Sequence, residues 1–188
     1  MNLTSDYLHT PVKGYHLEYG RGKKKKTIVD ACRFIAKDGS DEIFEVMALR
    51  GDGEELACVR TSDWLEMKRA YSRMVQDYMP AEWVQLMNTL TMAKAVAEAV
   101  TGDDGGTCNN DSPAIDVPEG MTFKQLEGIC NAAGVGCFAW RPFGKGPASA
   151  VIGAHGIGQG NRRTKGAEAA CEYLKAHGIG CGMYYQMD

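Results

Sequence analysis

The residues that come closest to chemistry are His155-Gly156-Ile157-Gly158-Gln159-Gly160-Asn161-Arg162-Arg163-Thr164-Lys165, a glycine loop that turns basic where a helix is expected to begin. A helix N-terminus presents unpaired N–H groups and partial positive charge, glycine lets a ligand approach the backbone, and Arg or Lys adds charge-assisted hydrogen bonds. The expected ligand is therefore a phosphate or carboxylate, held by Arg162, Arg163 and Lys165 with Gly158 and Gly160 beside it. The plain alternative is a solvated connector with ordinary surface cations. No G-x-x-x-x-G-K-S/T run is present, and Gly156-x-Gly158 lacks the third glycine and later acid of a dinucleotide site, so no nucleotide cofactor is expected.

Two other groups invite a binding role. In the strand expected over 135–141, Phe138 and Trp140 share a face with Gly136, and in that over 179–186, Tyr184 shares a face with Gly180 and Gly182. Aromatics beside bare glycines form a stacking platform if the face is open, with Arg141 and Lys145 at its rim; if it is closed they are core beneath helices. The run Arg21-Gly22-Lys23-Lys24-Lys25-Lys26 is a concentrated positive patch suited to phosphate or an acidic protein, or a guard on the following strand.

Catalytic and metal motifs are missing from the pattern. Cys171, His177 and Cys181 match no common zinc spacing, and nothing marks Cys137 or Cys181 with His155 as a nucleophile and base. No catalytic residue, metal or cofactor is assigned, and the seven cysteines, odd in number and scattered, read as reduced, buried thiols.

The elements that must position these residues follow from periodicity. Segments 27–36, 42–50 and 54–60 are rich in apolar and β-branched residues, with Gly51-Asp52-Gly53 as a hairpin turn, which predicts an antiparallel meander. Thr61 or Ser62 caps a helix carrying Trp64, Met67, Tyr71, Met74, Val75 and Tyr78 at helical spacing, and Pro80 opens a second that runs to Gly102. The stretch 102–120 holds five acids, several Gly, Asn and Pro, and no base, and is predicted to be a linker that is either a tether or a polyanion mimic. Thr122 and Gln125 form a capping-box pair, opening a helix that Gly134 closes. Strands over 135–141 and 148–154, a helix over 165–176 and a strand over 179–186 complete an α-β-β-α-β order. The fold class is α+β in two lobes, 1–101 and 121–188, joined by 102–120.

With 188 residues, 44% of them hydrophobic, the chain can bury a core, and a formal charge of −3 gives no global basic field, so any nucleic-acid surface must be local. No segment approaches the length of a membrane helix or a signal peptide, which makes the cytoplasm the expected location and a membrane partner unexpected.

The stretch from Gly158 to Leu174 resembles the end of a double-stranded RNA-binding domain, in which a glycine turn and a basic cluster precede an alanine-rich helix. That resemblance, covering the last third of the chain, implies that Arg162, Arg163 and Lys165 contact phosphates. Arg163-Thr164-Lys165-Gly166 also looks like the start of the acyl-coenzyme A loop of N-acetyltransferases, with Glu168 where that pattern has Gly or Ala. In size and mixed charge the chain is similar in type to small phage or mobile-element accessory proteins, including anti-CRISPR inhibitors. The expected function is a non-enzymatic binding protein for a nucleic acid or a nucleic-acid-handling protein. An acetyltransferase-like enzyme and a structural subunit are the alternatives.

Overall fold

The computed structural model describes residues 6–20, 26–102, 105–106, 110–141, 149–153 and 160–186. The first strand, β1 (Tyr7–Tyr19), is one the residue pattern does not announce, because Pro11, Lys13 and Gly14 interrupt its alternation. A bulge between Pro11 and His16 absorbs the interruption, and the strand lies at the sheet edge, where proline is tolerated. Next come β2 (Thr27–Ala36), β3 (Glu42–Arg50) and β4 (Glu55–Thr61), and all four strands pair in chain order as an antiparallel meander.

α1 (Trp64–Tyr78) covers this sheet, burying Met67, Ala70, Tyr71, Met74 and Val75 against the face that carries Val29, Ala31, Val46 and Ala48. Its cap is Asp63, one residue after Ser62 and two after Thr61, the expected caps; the Asp63 carboxylate accepts from the N–H groups of Leu65 and Glu66. Thr61 instead uses its hydroxyl to accept from the Asp63 N–H, leaving the stronger acceptor at the helix start.

α2 (Ala81–Ala99) follows, and the chain divides into two compact units within it, Met1–Val84 and Gln85–Asp188. That differs from the expected boundaries: most of α2 belongs with the second unit, and 102–120 is not a linker throughout. Ser112–Asp116 is β5, with Ser112, Ala114 and Ile115 buried. Its acids and proline disguise it, yet Pro113 sits where its missing N–H is harmless, since the ladder to the strand on one side begins only at Ala114.

α3 (Phe123–Ala132) carries the full reciprocal capping box between Thr122 and Gln125 and ends at Gly134, whose φ of 72° is the left-handed conformation that glycine adopts freely. β6 (Gly136–Trp140), β7 (Ser149–Gly153), α4 (Gly160–Ala176) and β8 (Cys181–Tyr184) complete the unit. The second sheet is antiparallel in the order β6-β7-β5-β8, so each helix, α3 and α4, leads directly into an edge strand. The protein is mixed α+β, as its periodicity predicts. Among the described residues no helix is long and apolar enough to cross a membrane.

Candidate functional site

Cross-strand partners share a face of a sheet, so the register of the second sheet sorts its residues. One face carries Pro113, Ile115, Ala150 and Ile152, and Pro113 and Ile152 meet Leu90, Ala93, Ala170 and Leu174 of α2 and α4. The other carries Gly136, Phe138 and Trp140 on β6, opposite Gly153, Val151 and Ser149 on β7, and then Ser112, Ala114 and Asp116 on β5 and Gly182 and Tyr184 on β8.

On this second face the two middle strands offer nothing larger than valine. The edge aromatics therefore lean inward over a low floor and meet across it. Phe138 and Tyr184 lie 5.9 Å apart and Trp140 and Tyr184 5.2 Å, centroid to centroid, both near edge-on. Val151 and Ala114 beneath them are buried, while Phe138 remains 49% exposed. The aromatics expected as a stacking group are thus brought together on the face away from α2 and α4, as a partly open cluster.

The basic residues are placed differently from their expected loop. α4 begins at Gly160, whose φ of 56° is again left-handed, so Arg162, Arg163 and Lys165 lie in the first turns of the helix itself. Arg162 Nε donates to the carbonyl of Val100, just past the end of α2, and Arg163 Nε donates to the carbonyl of Asp111. Both side chains are half-buried, and Lys165 is exposed. The arginines have a structural role before any ligand is considered.

Asp111 is the hub that sequence reading missed. Only 4% exposed, it accepts from the Thr164 hydroxyl at 2.7 Å and from the Gln186 N–H at 3.2 Å, and Asn110 N–H donates to the Gln186 carbonyl. These bonds join the segment leading into β5, the first turn of α4 and the residues just after β8. Its only signal was an acid placed directly before a short apolar run, and the acidic context concealed that.

Residues bonded to the hub and two of the three aromatics line one cleft of about 340 Å³: Arg163, Asn110, Ser112 and Gln186 are its polar lining, Phe138 and Tyr184 its aromatic lining, and Gly136 and Gly153 contribute no side-chain bulk. Among the described residues Arg163 makes no ion pair with a carboxylate, and its bond to the Asp111 carbonyl runs through Nε. The cleft thus combines the charge of an arginine with aromatic surfaces along its walls.

Other expected residues do not join it. Arg141 follows β6 and is exposed; Lys26 lies in the first unit, ion-paired to Glu18 at 2.6 Å. Lys23, Lys24, Lys25, Lys145, Gly158, His155 and Cys108 lie outside the described residues.

In the first unit, Asp30 stands between His16, 3.4 Å from its Oδ1, and Cys32, whose thiol donates to Oδ2 at 4.0 Å. Burial first, then the charges of Asp30 and Glu45, push the Cys32 thiol up to about 11, so it is held as a neutral thiol at neutral pH rather than as a nucleophile. Among the described residues no group of three or more His, Cys, Asp or Glu side chains is placed to hold a metal ion.

Comparison of the chain with protein-family models, with curated proteins and with solved structures finds no match.

Proposed function

We propose that this is a non-enzymatic binding protein whose second unit holds an unpaired nucleotide of a single-stranded nucleic acid in the cleft between Arg163 and the aromatic pair Phe138 and Tyr184. The observation that carries the reading is the convergence of those three side chains, from α4, β6 and β8, on one cleft. Bases stack on aromatic side chains irrespective of sequence, and a guanidinium beside them takes the phosphate with charge-assisted hydrogen bonds. A volume of about 340 Å³ is at the small end for a ligand cleft, which suits one nucleotide rather than a duplex.

The test is fluorescence anisotropy of labelled single-stranded DNA and RNA oligomers at several salt concentrations. Phe138→Ala together with Tyr184→Ala should weaken binding by roughly 1–3 kcal/mol per stacked base, with the salt slope unchanged. Arg163→Glu should weaken it and lower the slope by about one, provided circular dichroism shows the fold retained. Absence of binding to any single strand, with capture of an acidic nucleic-acid-handling protein by the same surface, would replace this reading with the protein-partner one.

A further inference from the structure

The first unit has a cleft of its own, of about 480 Å³, and three parts of the chain line it. One is a cross-strand row: Thr10 of β1 pairs with Arg33 of β2, and Arg33 with Phe44 of β3, on the face that also carries Ala31 and Val46. Another is the start of α1, which contributes Trp64 and the preceding Ser62. The third is the bulge in β1, where pairing jumps from Pro11 with Cys32 to His16 with Asp30, so that residues 12–15 stand opposite Ala31 alone. A bulge re-aims side chains that regular pairing would keep in alternation. Here Tyr15 becomes part of the core, 6% exposed, while Val12 and Lys13 line the cleft next to Pro11.

Trp64 belongs to the aromatic cluster of this unit and is its most open member. Its ring centroid lies 5.7 Å from that of Tyr15 and 5.4 Å from that of Phe44, both of them buried, yet Trp64 itself is 40% exposed. Lys68, one turn further along α1, places its ammonium 5.3 Å from the indole centroid. An aromatic side chain already fixed by its neighbours offers a flat apolar surface and loses little freedom when a ligand covers it. The charges of the lining do not cancel. Of its three charged residues, Arg33 and Glu42 are ion-paired with each other, and among the described residues Lys13 makes no ion pair. The lining therefore has one net positive charge, and Lys68 adds a second beside the indole.

We propose that this cleft binds a small aromatic carboxylate, with the ring against Trp64 and the carboxylate held by Lys13. A neutral ring of the same size gains the contact with Trp64 alone. A cationic one meets the charges of Lys13 and Lys68 and is disfavoured. The paired Arg33 and Glu42 contribute polarity to the lining without deciding the sign of the ligand, since their charges offset each other. A volume of about 480 Å³ lies within the range of small-molecule sites, roughly 300–1,000 Å³. All the lining residues belong to the unit Met1–Val84, so the inference is independent of what the cleft beside Arg163 binds.

The experiment follows the indole N–H signals of the full-length, isotope-labelled protein by NMR, with that of Trp64 assigned through Trp64→Phe. The probes are phenylacetate, phenylacetamide and phenethylamine, which share a benzyl group and differ in charge. Phenylacetate should move the Trp64 signal while those of Trp83 and Trp140 stay in place, and should bind at least roughly threefold tighter than the amide; phenethylamine should bind most weakly. Lys13 is exposed, so Lys13→Ala should leave the fold intact. It should lower the affinity for phenylacetate to that for phenylacetamide and leave the amide unchanged, because it removes a charge and no ring surface. Equal binding of the three probes would overturn the proposal, as would a Lys13→Ala protein that keeps the wild-type preference. A Trp64 signal that none of the probes moves up to the limit of solubility, or a response at Trp140 alone, would overturn it on the wild-type protein, whatever the variants do.

Discussion

The two units handle charge in opposite ways. In the first, cations face carboxylates across the sheet or along a turn: Lys26 with Glu18, Arg33 with Glu42, Arg50 with Glu54, and Arg60 with Glu45, whose side chain is almost fully buried. Among the described residues of the second unit only Lys94 and Glu98 make such a pair, and Arg162 and Arg163 donate to backbone carbonyls instead. A carboxylate neutralises a guanidinium, whereas a carbonyl orients it and leaves its charge available to an anion. The aromatics divide the same way. Tyr15, Phe44, Trp64 and Tyr71 form a connected cluster between the first sheet and α1, while Phe138, Trp140 and Tyr184 gather on the sheet face away from α2 and α4. The first unit pairs its arginines with carboxylates, and the second brings an arginine held by a backbone carbonyl together with two aromatics at one cleft.

The sharpest way to break this contrast is at Asp111. Asp111→Ala removes the acceptor for the part-buried Thr164 hydroxyl and for a backbone N–H and frees the segment whose carbonyl Arg163 holds. We expect a loss of about 2 kcal/mol, chiefly from the Gln186 N–H left without its acceptor while the Thr164 hydroxyl falls back on the Gly160 carbonyl, read by hydrogen exchange as lost protection in β5, β8 and the start of α4. Protection in β1 to β4 should be unaffected. Uniform loss across both units would show that the hub does not belong to the second unit alone.

A smaller effect should appear only in the first unit, at alkaline pH. The folded Cys32 thiol is raised from about 9 to about 11, so folding favours its protonated form; the stabilisation is complete below the unfolded value and is lost as pH rises through the folded one. Stability should therefore fall between about pH 9 and 11 by on the order of 1–2 kcal/mol. Tyr15, raised by burial, adds to the fall above its ordinary value. Cys32→Ala should flatten the lower part of this slope in denaturant titrations at stepped pH, and an unchanged slope would remove Cys32 as its source.

The smallest effect is expected at a pair that looks prominent. Arg50 and Glu54 are 2.6 Å apart but each about half exposed, so Arg50→Ala should cost no more than about 0.5 kcal/mol in chemical denaturation. A loss above 1 kcal/mol would mean that the charge pairs of the first unit contribute more to its stability than solvent-screened pairs ordinarily do.

Local pattern determined a large part of this protein. The strands Thr27–Ala36 and Glu42–Arg50, the helices α1 and α3, the capping box at Thr122 and the left-handed Gly134 are all legible, because each depends on residues within a few positions of one another. The α+β class follows from the same periodicities. Tertiary structure alone decided three things. It drew Ser112–Asp116 out of an acidic stretch into the middle of a sheet, since a strand with few apolar residues is stabilised by neighbours on both sides rather than by its own pattern. It carried Phe138 and Tyr184, on the two opposite edges of the four-stranded sheet, into contact, which requires the small residues of the two intervening strands and their register. And it placed Arg163 beside them by way of Asp111, 52 residues earlier in the chain. Alternation assigns each side chain to a face of its strand. Which strand lies next to which is set by long-range pairing, whose partners no local spacing encodes.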